Sequence, residues 1–358
     1  MNHVTEIMKG FYLNGQGGFE KLEYREDIPI PKLDQEDEVL IKVYASSVNN
    51  TDINTRIGWY SKENRLGNNS TTASAGIKKL SKSDGSWEGQ QIKFPRIQGI
   101  DACGKIINVG SKVSNKRIGE RVLINPCMKI NSKYVFFGSE IDGAFAEYTK
   151  VKSEFAYKID SNYSSEELAS FPCSYSTAEN MLIKTSLKKN ENILITGASG
   201  GVGSACIQLA KRRGANIIAI STHSKFDRLN KIGASQTISY DQLKLLDNQS
   251  IDVVIDLLGG NYSNELMNKL KHFGRYVTAG AVTGPFAEID IRTIYLKDLS
   301  LYGSTVLEKN VFRNLISYIE NKEITPLIEK KFSLKNLIEA QRFFLEKKYL
   351  GKIVITVC

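Results

Sequence analysis

The chain has 358 residues, of which 41% are hydrophobic; one core rarely organises so much apolar sequence, so two domains are expected. No segment reaches the roughly 18 consecutive apolar residues of a membrane span, and five cysteines without a CxxC pair do not indicate a disulfide framework. The net charge of +9 comes from lysines scattered among acids, which is typical of a solvated surface and not of a nucleic-acid-binding stripe. We therefore expect a cytoplasmic protein with reduced thiols that binds neither membrane nor nucleic acid.

The first part of the chain predicts short strands. Residues 3–60 are β-rich, and the later segments GIDACGKIINVG, GERVLINP and DGAFAEYTKV divide short apolar runs by glycine turns, as in a small β-barrel. Between them, residues 61–91 form a polar loop of unusual length. A mobile insertion is the favoured interpretation, although Trp59 and Trp87 on either side leave open that the loop folds over an apolar surface.

From Ser164 onward the pattern changes to alternating helices and strands. A helix is predicted to begin at Ser165, with acids in its first turn. Five apolar runs follow, separated by helical stretches, and this order indicates a parallel, doubly wound sheet of the α/β class. The five predicted strands are NILIT, NIIAIS, DVVIDLLG, RYVTAG and LSLYGS. An amphipathic helix and a last strand are predicted near residue 358.

The stretch at residues 192–215, NILITGASGGVGSACIQLAKRRGA, has the order strand, tight turn and helix. Glycines at such a turn let the backbone approach a pyrophosphate, whose charge is stabilised by free N–H groups and the helix dipole. Glycines also serve ordinary turns, so it is the strand–turn–helix context that favours a nucleotide site. The predicted cofactor-binding residues of this turn are Ala198, Ser199, Gly200, Gly201, Val202 and Gly203.

The end of the second strand predicts which dinucleotide is bound. An NAD-type site carries a carboxylate there, about 20 residues past the turn, for the ribose 2′-hydroxyl. This chain instead has Ser221, Ser224 and Lys225, with Arg228 close behind. Hydroxyls and positive charges suit a 2′-phosphate, so NADP(H) is the predicted cofactor. The alternative is that Lys225 and Arg228 are ordinary surface residues.

Motifs along nearly the whole chain resemble those of the medium-chain dehydrogenase/reductases, specifically their zinc-free quinone oxidoreductase-like branch. They are VNNTD continuing to Arg56-x-Gly58-x-Tyr60, GIDACGKIINVG with GERVLI, DGAFAEY, GASGGVGSACIQLAK, DVVIDLLGG and GKIVITV. The resemblance implies a GroES-like β-barrel catalytic domain at residues 1–157, a Rossmann domain at 158–307 and a return to the catalytic domain at 308–358. It also implies a homodimer or homotetramer, and a small-molecule substrate in the cleft between the domains.

The zinc ligands of the family's alcohol dehydrogenases match Asn49, Ile100 and Cys173 here. An amide and an isoleucine cannot complete a tetrahedral site, and the three histidines do not lie at ligand spacing, so no metal is predicted. Cys173 is then a buried thiol or, less favoured, a thiol that lines the active site. Thr51 matches a proton-relaying hydroxyl of the zinc enzymes, but that role needs a metal-bound alkoxide.

By the same resemblance, Asn49, Asp52, Arg56 and Tyr60 border the nicotinamide and the substrate. Tyr60 is the predicted hydrogen-bond donor to the substrate carbonyl, with Asn49 second. An ion pair that fixes the turn is the slightly favoured alternative for Asp52 and Arg56.

Other positions are expected around the nicotinamide. Thr177 matches a residue that contacts the nicotinamide in relatives, with a helix cap as the equal alternative, and Tyr175 is a candidate for the pocket lining. Gly259 and Gly280 end strands at the sheet edge where the cofactor lies in such folds.

These residues together predict an NADPH-dependent, zinc-independent reductase. Conjugate reduction of a quinone or an α,β-unsaturated carbonyl needs mainly a hydride and donors for the developing oxyanion, whereas alcohol oxidation needs a metal or an acid to manage a proton. Two alternatives stay open at this point: an alcohol dehydrogenase that recruits a metal, and a non-catalytic NADPH-binding protein.

Overall fold

The structure, a computed structural model, describes residues 6–67, 70–77 and 91–358. The strands of the described part are β1 (Ile7–Leu13), β2 (Leu22–Pro29), β3 (Glu38–Val48), β4 (Cys103–Val109), β5 (Arg121–Ile124), β6 (Cys127–Ile130), β7 (Lys133–Phe136), β8 (Tyr148–Lys152), β9 (Ala156–Lys158), β10 (Asn192–Ile195), β11 (Asn216–Ile220), β12 (Gln236–Ile238), β13 (Ile251–Asp256), β14 (Leu270–Thr278), β15 (Ser300–Gly303), β16 (Ile328–Ser333) and β17 (Lys352–Thr356). Its α-helices are α1 (Asn50–Ile57), α2 (Ser70–Ala75), α3 (Ser165–Leu168), α4 (Pro172–Lys184), α5 (Gly201–Arg212), α6 (Phe226–Ile232), α7 (Ser263–Lys269), α8 (Ile291–Leu296), α9 (Val311–Glu320) and α10 (Leu337–Leu345). None of these helices is long and apolar enough to cross a bilayer.

One sheet is parallel and has the strand order β12-β11-β10-β13-β14-β15. Successive strands of the chain are added on one side from β10 to β12 and on the other side from β13 to β15, so the strand order switches direction between β10 and β13. In doubly wound sheets, ligands bind beside this switch point, at the carboxyl ends of the strands. The five predicted apolar runs became β10, β11, β13, β14 and β15, which confirms the α/β fold class. The sequence analysis missed β12, because three residues are too few to show a strand period.

The other large sheet joins distant parts of the chain in the order β16-β17-β3-β4-β5-β9, with β8 also on β3. β17 pairs antiparallel with β3, so that Ile353 lies opposite Val48. Two small hairpins, β1 with β2 and β6 with β7, stand beside it. The end of β3 at Val48 and the start of β17 at Lys352 therefore lie side by side in the sheet.

The largest apolar core connects the two sheets. Ala45 and Leu123 from the mixed sheet pack in one cluster with Phe171, with α4 and α5, and with the inner strands of the parallel sheet. Helix α9 belongs to the same cluster through Phe312 and Leu315, and it packs on α4. The chain thus stays with the parallel sheet through α9 and rejoins the mixed sheet at β16.

One local prediction is confirmed and another differs from the structure. Helix α3 begins at Ser165 as predicted, and Ser164 caps it: Glu167 donates its backbone N–H to the Ser164 hydroxyl, and the Glu167 carboxylate accepts the N–H of Ser164. The polar stretch predicted as a loop contains α2. Trp87 lies outside the described residues.

Candidate active site

A cleft of about 670 Å³ runs between the two sheets. Its walls come from the end of β3 with α1, the first turns of α4, the turn before α5, the carboxyl ends of β13, β14 and β15, and residues 344–352. This volume lies within the usual range of about 300–1,000 Å³ for cofactor and substrate sites. The described residues therefore form one continuous cleft at the switch point of the parallel sheet.

The turn that begins the nucleotide-binding wall has its left-handed residue at Gly197, with φ +57°. Gly197 donates its N–H to the hydroxyl of Tyr240 at 3.1 Å. A Cβ at Gly203 would lie 2.4 Å from the Gly197 carbonyl oxygen, so α5 can approach the turn only with glycine there. The sequence analysis began this site at Ala198, which is fully buried, and missed Gly197.

The predicted residues divide into two groups. Those that line the cleft are Asn49, Tyr60, Thr177, Ser199, Gly200, Gly201, Val202, Gly203, Lys225 and Gly280. Those that do not are Asp52, Arg56, Ala198, Ser221, Ser224, Arg228 and Gly259.

Two lysines lie together at the end of the cleft near Ser199. Lys225 donates to the Ser199 hydroxyl at 3.0 Å and to the carbonyl of Lys347 at 2.7 Å. Desolvation lowers the pKa of both lysines, and for Lys347 the charge of Lys225 lowers it further. Lys347 was missed because it lies 122 residues from Lys225 in the chain, in a segment with no motif.

The other residues predicted near the 2′-phosphate have different surroundings. Arg228 turns away and pairs with Glu329 at 2.6 Å. Ser221 is buried at the end of β11, and the Ser224 hydroxyl lies 3.4 Å from that of Thr222. Lys225 is therefore the residue of this predicted set that faces the cleft.

A buried ion pair forms the floor of the cleft. The Lys352 ammonium donates to Asp101 at 3.1 Å, to the Asn49 side-chain oxygen at 2.5 Å and to the Ser174 hydroxyl at 3.2 Å. The two charged side chains are 3% and 0% exposed. All three ammonium protons are used, so the charge is held in place by its acceptors. A Cβ at Gly201 would lie 2.9 Å from the Lys352 side chain, so this floor touches the glycine-rich turn.

Asn49 cannot serve as the second donor to a substrate carbonyl. Its amide donates one proton to Asp101 at 2.7 Å and the other to the Ser47 carbonyl at 3.1 Å, while its oxygen accepts from Lys352. An ammonium only donates and a carboxylate only accepts, which fixes the orientation of the amide. The role expected for Asn49 is thus corrected: it joins the ion pair to the end of β3.

Asp52 and Arg56 do not form the expected ion pair. Asp52 accepts the N–H groups of Asn49 at 2.8 Å and Ile100 at 3.3 Å. Burial, with a contribution from the Asp101 charge, raises the pKa of Asp52 to about 7. Both side chains are buried outside the cleft, which corrects their assignment as residues that border the substrate.

Arg56 has a different set of partners. It is fully buried and donates to the carbonyls of Gly17 at 3.1 Å and Ala73 at 2.9 Å, and to Gln341 at 3.3 Å. Its guanidinium also lies over the Phe19 ring. Arg56 therefore anchors α2 and the first hairpin to α1.

Tyr60 lines the cleft beside Thr51. Its hydroxyl donates to the Thr51 hydroxyl at 3.3 Å and accepts from the Asn54 amide at 3.5 Å. Burial raises the pKa of Tyr60, so the phenol keeps its proton over the physiological range. The Tyr60 hydroxyl is therefore a hydrogen-bond donor at neutral pH.

The structure decides between alternatives for three residues around α4. Cys173 is partly buried and lines the cleft, which was the less favoured alternative, and desolvation raises the pKa of its thiol. Thr177 is not a helix cap, because it lies inside α4 and donates to the Cys173 carbonyl at 2.8 Å. Tyr175 points away from the cleft and donates to the Thr325 carbonyl at 2.9 Å.

Asp256, at the end of β13, was not singled out from the sequence. It is fully buried and accepts from the Thr196 hydroxyl at 2.7 Å and from the hydroxyl of Tyr276. It also accepts the N–H of Gly259 at 3.2 Å, which explains why Gly259 shapes the turn without lining the cleft. The carboxyl ends of β10, β13 and β14 are thereby held in register.

The residues at the matched zinc positions do not fit a zinc ion. Asn49 has its amide saturated, Ile100 has no donor atom, and the Lys352 ammonium lies among the polar groups. Within residues 6–67, 70–77 and 91–358, no three His, Cys, Asp or Glu side chains are grouped to hold a metal ion.

A dinucleotide fits the cleft better. The first-turn N–H groups of α5 have no helical partners, and Lys225 provides positive charge beside Ser199 at the same wall. The Lys347 ammonium, which also lines the cleft, donates to the Asn50 side-chain oxygen at 3.0 Å.

Two family models match the chain: the alcohol dehydrogenase GroES-like domain over residues 35–161 and the zinc-binding dehydrogenase over residues 201–321. A solved structure from Sinorhizobium meliloti 1021, provisionally described as an alcohol dehydrogenase, is 37% identical and has a TM-score of 0.86. The match covers 99% of this chain and 98% of that one. The chain belongs to the medium-chain dehydrogenase/reductase superfamily, in its quinone oxidoreductase-like branch.

Two curated relatives in the superfamily are named for their reactions. The NADPH-dependent alkenal/one oxidoreductase of Arabidopsis thaliana chloroplasts is 25% identical over 98% of this chain and 80% of its own length. The quinone oxidoreductase of Lama guanicoe is 27% identical over 98% of this chain and 97% of its own. This medium-chain dehydrogenase/reductase is thus an oxidoreductase that uses a nicotinamide cofactor and a small-molecule substrate.

The raised pKa of Asp52 predicts a pH-dependent effect of Asp52→Asn on stability. Between about pH 4 and pH 7 the folded protein binds more protons than the unfolded chain, so the free energy of unfolding falls as pH rises through this interval. Asparagine does not titrate, so the free energy of unfolding of the variant does not fall in this way. Its stability relative to wild type should rise by about 3 kcal/mol between pH 5 and pH 8, since about two pH units below the folded pKa are crossed.

Urea denaturation at several pH values measures this difference. Asp290→Asn is the control, because a hydrogen bond from Arg292 lowers the pKa of Asp290. The stability of this variant relative to wild type should fall or stay constant as pH rises. A constant difference between Asp52→Asn and wild type would contradict the raised pKa.

Proposed function

We propose that the protein is an NADPH-dependent, zinc-independent reductase of quinones or α,β-unsaturated carbonyl compounds. The observation that carries the proposal is the buried Lys352 ammonium among Asp101, Asn49 and Ser174. A fixed cation with saturated acceptors at this position disfavours a second cation, and therefore a metal-activated alcohol. Conjugate reduction does not require a bound metal ion.

The chain would hold the cofactor with two sets of groups. The N–H groups of the glycine-rich turn and of the first turn of α5 suit the pyrophosphate. Lys225 and Lys347 suit a 2′-phosphate, and the described cleft lining has no carboxylate beside them. The Arabidopsis relative is named as an NADPH-dependent enzyme, which agrees with this preference. When bound, the nicotinamide supplies the hydride.

The substrate's carbonyl oxygen gains negative charge as its double bond is reduced. Among the described residues that line the cleft, Tyr60 is well suited to donate a hydrogen bond to that oxygen, because its phenol keeps its proton. On substrate binding, the Tyr60 proton would turn from the Thr51 hydroxyl to the substrate oxygen, while the Asn54 amide continues to donate to the Tyr60 oxygen. The proton that completes the reduction comes from solvent or through Tyr60.

Oxidation of NADPH by a panel of quinones and enones, with and without chelator, tests the function. We expect turnover that the chelator does not change. Stoichiometric zinc with chelator-sensitive alcohol oxidation would replace the proposal by a metal-dependent alcohol dehydrogenase. Tight NADPH binding without turnover of any member would instead indicate a non-catalytic binding protein.

Lys225→Ala and Lys347→Ala should each weaken NADPH binding about tenfold and change NADH binding less, because one charge-assisted hydrogen bond to the 2′-phosphate is lost. In wild type the charge on Lys347 is lost as pH rises above neutrality, because its folded pKa is lowered. NADPH affinity should therefore fall with rising pH more steeply than NADH affinity.

Isothermal titration with both cofactors from pH 6 to pH 9 measures these effects. Lys348→Ala is the matched control, since the side chain of Lys348 is 82% exposed and lies outside the cleft. Equal losses for NADH and NADPH would contradict a 2′-phosphate site at these lysines.

Tyr60→Phe should lower kcat about a hundredfold and leave the NADPH dissociation constant unchanged, because one donor to the developing oxyanion is removed. Tyr163→Phe provides the control, since that hydroxyl donates to the Ile324 carbonyl away from the cleft. Steady-state kinetics with a substrate from the panel give the comparison; unchanged turnover removes Tyr60 from the mechanism.

A further inference from the structure

Residues 59–67, named the strap here, are tied together by Asn64. The Asn64 amide donates to the carbonyls of Trp59 at 3.2 Å and Leu66 at 3.3 Å, and its oxygen accepts the N–H of Leu66 at 3.0 Å. Asn64 is 5% exposed. The indole N–H of Trp59 donates to the same Leu66 carbonyl at 3.2 Å. These bonds give the strap a defined shape although its sequence is polar.

The far end of the strap reaches the opposite wall of the cleft. A Cβ at Gly67 would lie 2.8 Å from the carbonyl oxygen of Thr283 and 2.9 Å from that of Val282, so two backbones meet where only glycine fits. Arg65 places its guanidinium 4.9 Å from the centre of the Phe286 ring. The strap therefore joins the wall that carries α1 to the loop that follows β14.

The same end of the strap, at Gly67, is also held by α2. The Thr72 hydroxyl, in α2, donates to the Gly67 carbonyl at 3.0 Å, and α2 is held in turn by the buried Arg56 through the Ala73 carbonyl. Arg56 thus supports the strap through α2. This gives a structural role to an arginine that is fully buried and does not line the cleft.

Trp59 is the part of the strap that faces the cleft together with Tyr60. The two rings meet edge to face, with centres 5.6 Å apart. Because the indole N–H is bonded within the strap, the ring offers the cleft an apolar surface. Val48, Leu258 and Val282 add further apolar lining.

We propose that the strap is the specificity element of the cleft, and that Trp59 selects unsaturated carbonyl compounds with a flat aromatic group beside the reacting double bond. The inference rests on the proposed function and names its substrate class. A planar ring can lie against the indole, whereas a short alkyl group leaves that surface uncovered.

The test compares benzylideneacetone with ethylideneacetone, which share the enone and differ in phenyl against methyl. The two differ in intrinsic reactivity, so the quantity compared is the change in the ratio of their kcat/KM values at saturating NADPH. Trp59→Leu should lower the phenyl-to-methyl ratio about tenfold. Gly67→Ala should lower it in the same direction by displacing the strap, and the NADPH dissociation constant should stay unchanged in both variants.

Gly15→Ala is the matched control for the glycine substitution, because the nearest neighbour of its added Cβ is 4.0 Å away. This variant should keep the wild-type ratio. An unchanged ratio in Trp59→Leu, or an equal change in Gly15→Ala and Gly67→Ala, overturns the proposal.

A binding measurement separates the failure of this proposal from the failure of the proposed reaction. The chain has two tryptophans, so Trp87→Phe leaves Trp59 as the single indole reporter. Benzylacetone, the saturated aromatic ketone, should quench its fluorescence, and acetone should not. Binding of benzylacetone without turnover of either enone keeps the pocket assignment and refutes the reaction. No preference for benzylacetone refutes the pocket assignment, whatever the turnover.

Discussion

The ion pair between Lys352 and Asp101 is the contact on which the architecture of the cleft depends. It joins the last strand of the mixed sheet to the segment before β4, and through Asn49 and Ser174 it reaches the end of β3 and the start of α4. Removing one partner of such a buried pair leaves an uncompensated charge, at a cost of about 3–5 kcal/mol. The wall of the cleft formed by β3 and α1 and the glycine-rich turn are thus positioned by this one polar contact.

The glycines of the turn show how packing and binding share residues. Gly203 admits the close approach of α5, and Gly201 admits Ser174 and Lys352. Neither position tolerates a Cβ without backbone or side-chain movement. The same absence of side chains leaves the wall open for a dinucleotide, so the contacts that assemble the two sheets also shape the cofactor site.

Local signals predicted the parallel sheet and the glycine-rich turn well. Apolar runs, glycine turns and a helix start lie within a few residues of one another, and five strands followed from them. The polar floor could not be found in this way, because Lys352 is 251 residues from Asp101 and 303 residues from Asn49. Arg56 was misassigned for a related reason. Its position in a motif does not determine the direction of its side chain, and the backbone carbonyls that accept its hydrogen bonds cannot be identified from the sequence.

The pairing of β17 with β3 has a consequence for how the chain acquires its structure. The parallel sheet is assembled from neighbouring segments between residues 192 and 303, so its contacts form locally. The mixed sheet is complete only when residues 352–356 pair with β3, a strand that lies about 300 positions earlier in the chain. Long loop closure slows such pairing. Because Lys352 begins β17, the polar floor of the cleft is complete only when this long-range pairing has formed.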